Sequence, residues 1–106
     1  MKYNVILETT ASSDLHSILD YITNVLKEPK TAVQIFSAIK EKVLSLDELP
    51  HRQGIVKDEP YKSLGVRWLP IEGYMAFYVI DEDQRTVHVL RILYHRRNWQ
   101  NFLLEP

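Results

Sequence analysis

The sequence places a group of anion-binding side chains directly after an apolar segment. Residues 90–99 read LRILYHRRNW, so the segment ends on His95, Arg96, Arg97 and Trp99. A guanidinium group pairs with phosphate or carboxylate through two parallel hydrogen bonds, an indole stacks on a base, and imidazole transfers protons near neutral pH. These residue types predict a contact with an anion, a nucleic acid or an acidic partner. The alternative is a basic end of the strand, with Trp99 closing the core.

Other kinds of reactive site find little support in the residues. The chain has no cysteine, which excludes disulfides, thiolate catalysis and cysteine-bound zinc. His88 and His95 are seven residues apart and face opposite sides of one strand, whereas His16 and His51 belong to a helix and a loop. There is neither a Gly-x-Ser-x-Gly motif nor a glycine-rich phosphate loop. We therefore predict no metal site and no cofactor.

Composition and charge indicate one cytoplasmic domain over residues 1–106. Apolar residues make up 45% of the chain, which is enough for a core. The net charge is −1, so no overall field draws the chain to nucleic acid or to an anionic membrane. The residues after Gln84 are nevertheless basic, with four arginines and one glutamate. The N-terminus lacks the pattern of a signal peptide, and the longest apolar run, residues 74–80, is too short to span a bilayer.

Hydrophobic periodicity predicts a strand and two helices in the first half of the chain. Residues 3–7 read as a short strand. Apolar residues then recur at helical spacing, at Leu15, Ile18, Leu19, Ile22, Val25 and Leu26. This helix is expected to end near Glu28, because a residue before proline disfavours the helical conformation. A second helix is predicted from Pro29 or Lys30 to Leu46, which makes an antiparallel helical hairpin.

The second half of the chain predicts three strands. These are residues 66–69, residues 74–80 and residues 86–93, with a polar turn at residues 81–84. The order β-α-α-β-β-β predicts an α+β domain in which the helical hairpin packs on one face of a mainly antiparallel sheet. The other face of the sheet, or the end of the last strand, is then free for function.

Alternation along the last strand assigns its side chains to two faces. One face is expected to carry Val87, Val89, Arg91 and Leu93, and the other His88, Leu90, Ile92 and Tyr94. Arg67 comes from another strand of the same sheet. We therefore expect Arg67, Arg96 and Arg97 to lie near one sheet edge.

Several segments, in their order and spacing, resemble the RelE/ParE superfamily of type II toxin–antitoxin toxins. They are YNVIL, ASSDLHSILDYI, TAVQIFSAIKEKVLSLDELP, GVRWLPIEGYMAFYVID and VHVLRILYHRR, and together they cover most of the chain. Arg67, the AFYVID segment and the RILYHRR ending are closest to the ParE-like branch. Tyr94 and His95 replace a His-Gly pair in that ending. The resemblance implies the same fold as the periodicity does.

The resemblance also implies a growth-inhibiting toxin that an antitoxin holds inactive. ParE-like members poison DNA gyrase, whereas RelE-like members cleave mRNA on the ribosome. RelE-like nucleases usually carry an arginine after the tyrosine of a GYR segment, and here Met75 stands at that position. Methionine cannot stabilise the charge of a phosphoryl transition state. The sequence thus favours the gyrase poison, while a ribonuclease using Arg67, His95, Arg96 and Arg97, with help from Lys57 and Lys62, stays an alternative.

The implied partners are a cognate antitoxin and either gyrase or the ribosome with its mRNA, without a membrane. A toxin–antitoxin hetero-oligomer is also implied. A third possibility is an inactive family member that only binds an antitoxin. The residues expected to contact the target or the antitoxin lie on or beside the last strand, at Arg67, Arg91, His95, Arg96, Arg97 and Trp99.

Overall fold

The elements follow one another in the predicted order. A computed structural model describes residues 2–95 of the chain. Its strands and helices are β1 Asn4–Leu7, α1 Thr9–Asp20, α2 Pro29–Leu44, β2 Arg67–Ile71, β3 Tyr74–Asp81 and β4 Thr86–Tyr94. A π-helical turn, Tyr21–Val25, extends α1. The α+β class and the β-α-α-β-β-β order are confirmed.

The helical hairpin forms because the helical conformation is interrupted before Pro29. Glu28 has a non-helical backbone, and Pro29 occupies the first turn of α2, where its missing N–H costs nothing. The second helix ends at Leu44, two residues before the predicted end, and Leu46 lies buried in the following 3-10 turn. Among residues 2–95, no helix is long and apolar enough to cross a membrane.

The sheet has the strand order β1-β4-β3-β2. The β2–β3 and β3–β4 pairs are antiparallel, and β1 runs parallel to β4, so the sheet is mainly antiparallel as predicted. Pairing between β1 and β4 extends from Asn4 opposite Thr86 to Leu7 opposite Val89. The second half of β4 therefore continues beyond the end of β1.

A two-residue turn joins β2 to β3. Glu72 and Gly73 both have positive φ angles, 49° and 88°, which matches the twist of the flanking strands. The turn brings Tyr74 opposite Tyr94, the last residue of β4. It thereby defines the end of the sheet at which β4 finishes.

A β-bulge overturns the predicted alternation on β4. Tyr78 pairs with Val89 whereas Phe77 pairs with Arg91, so Leu90 is an extra residue. Ile92 joins Val87 and Val89 in the core under the helices, and Leu93 packs on the opposite face. The prediction that Leu93 shares a face with Val87 and Val89 is therefore wrong, because one inserted residue reverses the faces beyond it.

The face of the sheet away from the helices is only partly open. Residues 55–66 fold over it, and Val56, Tyr61 and Val66 pack against Phe77 and Leu93. This face is therefore covered in part, and a functional role for the face or for the end of the last strand stays a prediction. The loop buries apolar side chains that an uncovered sheet would expose to water.

Candidate functional site

His95 is anchored to the turn at the end of the sheet. Its backbone N–H and its ring Nδ1 both donate to the Gly73 carbonyl oxygen, at 3.0 and 2.6 Å. A carbonyl only accepts hydrogen bonds, so Nδ1 carries the ring hydrogen. The exposed His95 ring thus has a defined orientation with Nε2 as its second polar atom.

Two tyrosines extend this strand end into an aromatic surface. The Tyr94 ring lies 5.1 Å from the His95 ring and 5.6 Å from the Tyr74 ring, which it meets edge to face. Burial, with a smaller contribution from Tyr94, raises the pKa of Tyr74. The Tyr74 hydroxyl therefore stays protonated at neutral pH and can donate a hydrogen bond to a partner.

Arg67 is the first residue of β2, whereas His95 lies beside the turn that follows the last residue of β2. Arg67 pairs with Tyr78, whereas Tyr74 pairs with Tyr94, so the two positions are four residues, or roughly 13 Å, apart along β3. The Arg67 Nη1 donates to the carbonyl oxygens of Gln53 and His51, at 2.6 and 3.2 Å. The structure thus places Arg67 away from His95, and the Arg67 contacts hold the loop after α2. The grouping of Arg67 with Arg96 and Arg97 stays a prediction.

Arg91 is directed into the protein. Its Nε and Nη2 donate to Asp14 Oδ2 and Oδ1, at 2.8 and 3.0 Å. Only 10% of the Arg91 side chain is exposed. A direct contact between Arg91 and a partner stays a prediction, and its principal observed contact is with α1.

The remaining members of the expected site lie outside the described residues. They are Arg96, Arg97 and Trp99. The last described residue before them is His95, which the Gly73 carbonyl oxygen holds. Lys57 and Lys62, the auxiliary cations of the ribonuclease alternative, are exposed on the loop that covers the sheet.

Met75 lies in an apolar environment. It packs against the cluster formed by Val56, Tyr61, Val66, Phe77 and Leu93. A nuclease that used this position for an arginine would need a polar cleft at the same place. In the described part of the chain, the loop 55–66 fills that place with apolar side chains.

A groove lies between the helices and the end of the sheet. It has a volume of about 990 Å³. Apolar residues from both layers line it, including Ile18, Ile22, Ile35 and Ile92, with Tyr21, Tyr74 and Tyr94 among the polar-tipped residues. Tyr21 and Leu26 are 53% and 46% exposed, so the groove offers uncovered apolar surface.

The other polar contacts do not resemble a metal site. His51 Nε2 contacts Glu82 Oε1 at 2.8 Å, and His88 Nδ1 contacts Glu8 Oε2 at 2.7 Å. Within residues 2–95, no group of three histidine, aspartate or glutamate side chains could hold a metal ion.

Comparison with known proteins relates most of the chain to a family of toxins. Residues 5–99 match the model of the ParE toxin of the type II toxin–antitoxin system parDE. A search of curated proteins finds no significant match. Two similar solved structures are a chromosomal ParDE toxin–antitoxin system from P. aeruginosa and the toxin–antitoxin complex RelBE2 from Mycobacterium tuberculosis.

Both structural matches extend over nearly complete chains. The ParDE chain has 25% sequence identity and a TM-score of 0.71, with 88% of this chain and 96% of that chain covered. The RelBE2 chain also has 25% identity, with a TM-score of 0.65 and coverage of 89% and 99%.

Proposed function

We propose that this chain, which belongs to the ParE toxin family of type II toxin–antitoxin systems, inhibits bacterial growth by poisoning DNA gyrase. The premise is family membership, which rests on a match over residues 5–99. The contact with gyrase is assigned to the end of β4, at His95, Arg96 and Arg97. One domain over residues 1–106 and a cytoplasmic location, where gyrase acts, are part of the proposal.

The packing of Met75 is the observation that favours gyrase poisoning over mRNA cleavage. Phosphoryl transfer depends on cations placed where negative charge develops in the transition state. Met75 instead joins an apolar cluster with Phe77 and Leu93 under the loop 55–66. Arg67, one of the cations of the nuclease alternative, donates to backbone carbonyls at the far end of β2. These contacts support a toxin that binds a protein target.

The strand end has the properties of a protein contact. His95 is exposed and held by two hydrogen bonds, so little side-chain entropy is lost when a partner binds it. Tyr74 and Tyr94 lie beside it, and aromatic residues and arginines are enriched where protein interfaces carry most of their binding energy.

The cognate antitoxin that membership of a type II system implies has a suitable binding surface in the groove. An amphipathic segment buries its apolar side in such a groove. The apolar residues of α1, α2 and β4 supply the floor, and the tyrosine hydroxyls supply hydrogen bonds at the side. Because Tyr94 lines the groove and also contacts His95, an antitoxin bound there would lie against the strand end. A toxin–antitoxin hetero-oligomer follows from this arrangement.

The first test is pulse-labelling of DNA and protein synthesis in bacteria induced to make this chain alone. We expect DNA synthesis to stop first, and the double change Arg96→Ala with Arg97→Ala to abolish the arrest. Lys57→Ala with Lys62→Ala removes two exposed cations elsewhere and serves as the matched control.

Two outcomes would contradict the proposal. An early fall in protein synthesis with continued DNA synthesis would identify mRNA as the target, and the strand end would then be tested as a nuclease site. Normal growth in the presence of the folded chain would instead indicate a module that only binds its antitoxin.

A further inference from the structure

Strand β4 lies between β1 and β3, and its pairing with β1 stops halfway along. Among the described residues, β1 ends at Leu7 opposite Val89, while β4 continues to Tyr94. An open strand edge leaves backbone N–H groups without partners and gives that part of the strand freedom to fray. The basic residues follow directly after this half of β4. This half of β4 pairs with β3 on one edge, so on its other edge a group that is not a strand must satisfy the backbone.

Asp14 from α1 takes the place of the missing strand. Its Oδ2 accepts the backbone N–H of Ile92 at 3.0 Å and the Nε–H of Arg91 at 2.8 Å. Its Oδ1 accepts from Arg91 Nη2 at 3.0 Å. One carboxylate thus binds both the backbone and a side chain of the part of β4 that extends beyond β1.

The geometry of this contact is strongly constrained. The side chains of Asp14 and Arg91 are 14% and 10% exposed. A planar guanidinium that meets a carboxylate through two hydrogen bonds permits one relative orientation. The cost of removing both charges from water offsets much of their attraction, so such a pair determines geometry more than it adds stability.

We propose that Asp14 is a positioning residue for the basic end of the toxin. By holding Arg91 and the Ile92 amide, it sets the course of β4 and directs His95, the last described residue before the two arginines in sequence, toward the target. His95 is the third residue after Ile92, and Tyr94 stays opposite Tyr74 only while β4 keeps this course. The inference rests on the proposed function, because it takes the strand end as the contact with gyrase.

The test compares Asp14→Asn with Tyr78→Phe. Asparagine retains one oxygen for the Ile92 N–H but loses the charge that orients Arg91. Tyr78→Phe removes a buried hydrogen bond to the Pro50 carbonyl oxygen, at a site away from the strand end, and controls for a general loss of stability. Amide hydrogen exchange and binding to immobilised purified gyrase are measured on each purified chain.

We expect Asp14→Asn to speed exchange of the Ile92 and His95 amides by about tenfold and to weaken gyrase binding by a similar factor. Ile80 on β3 pairs with Val87, in the half of β4 that β1 also pairs with. The exchange rate of the Ile80 amide should change far less. Tyr78→Phe should leave both the His95 exchange rate and gyrase binding close to those of the unchanged chain.

Each alternative result has a separate meaning. Unchanged exchange at His95 in Asp14→Asn overturns the positioning role. Equal acceleration at His95 and Ile80 also overturns it, because the effect is then only global stability. Faster exchange at His95 supports the positioning role even if neither Asp14→Asn nor the double change Arg96→Ala with Arg97→Ala alters gyrase binding; that result would overturn the gyrase proposal alone.

Discussion

Replacing Arg67 tests whether that residue holds the fold or contacts the target. Its Nη1 donates to the Gln53 carbonyl oxygen at 2.6 Å and to the His51 carbonyl oxygen at 3.2 Å. Hydrogen bonds from a charged donor contribute about 1.5–3 kcal/mol each when the groups are well placed. The longer contact and the partial exposure of Arg67 reduce the total, so we expect Arg67→Ala to lower the free energy of unfolding by about 2 kcal/mol.

This loss corresponds to a measurable change in Tm. A chain of 106 residues has an unfolding entropy of about 0.2 kcal/mol/K near 60 °C, so Tm should fall by about 9 °C. The assay is thermal unfolding followed by circular dichroism. Arg67→Lys keeps the charge but has only a single ammonium, so it should show an intermediate loss. Lys62→Ala, at an exposed position, should stay within about 0.5 kcal/mol of the parent.

Toxicity separates the two roles of Arg67. We expect the folded Arg67→Ala chain to arrest growth at 25 °C, well below its Tm. An unchanged Tm together with lost toxicity would refute our reasoning and make Arg67 a contact residue, as the resemblance to ParE-like toxins suggested.

Three further predictions concern the buried and strained positions. Tyr78→Phe should cost about 1–2 kcal/mol, because the Tyr78 hydroxyl donates to the Pro50 carbonyl oxygen. Burial raises the pKa of Tyr78 above its value of about 10 in the unfolded chain. The contribution of the protonated Tyr78 hydroxyl to the free energy of unfolding is therefore complete below about pH 10 and is lost as the pH rises through the raised pKa. Chemical unfolding across this range should show a steeper alkaline loss in the parent than in Tyr78→Phe, and parallel curves would contradict the assignment. Met75→Arg should destabilise the fold by roughly 2–4 kcal/mol without conferring RNA cleavage, since it forces a charge into an apolar cluster, and a stable, RNA-cleaving variant would contradict this. Gly73→Ala should lower stability by about 1 kcal/mol because φ is positive there, and an unchanged thermal transition would show that the turn adapts.

The helices and strands were largely predictable, because each follows from local spacing. Helical periodicity and Pro29 defined the hairpin, and β3 was recognisable as an apolar strand, which the structure confirms as Tyr74–Asp81. The predicted faces of β4 failed beyond Val89, since a bulge depends on the register between two strands and not on the residues of one.

The candidate site was less predictable than the elements that position it. Sequence alone established that cations follow an apolar strand, and the family resemblance gave the type of toxin. The sequence also predicted that Arg67 and Arg91 contact the target or the antitoxin together with those cations. Charge predicts a possible contact, but the partner depends on which groups come within hydrogen-bonding distance.

Tertiary structure decided which groups Arg67 and Arg91 contact. Arg67 meets loop carbonyls and Arg91 meets a carboxylate 77 residues away in the chain. The groove likewise exists only where α1, α2 and the end of β4 converge. Local propensities act within a few residues, whereas these contacts join segments that only the packed sheet and helices bring together.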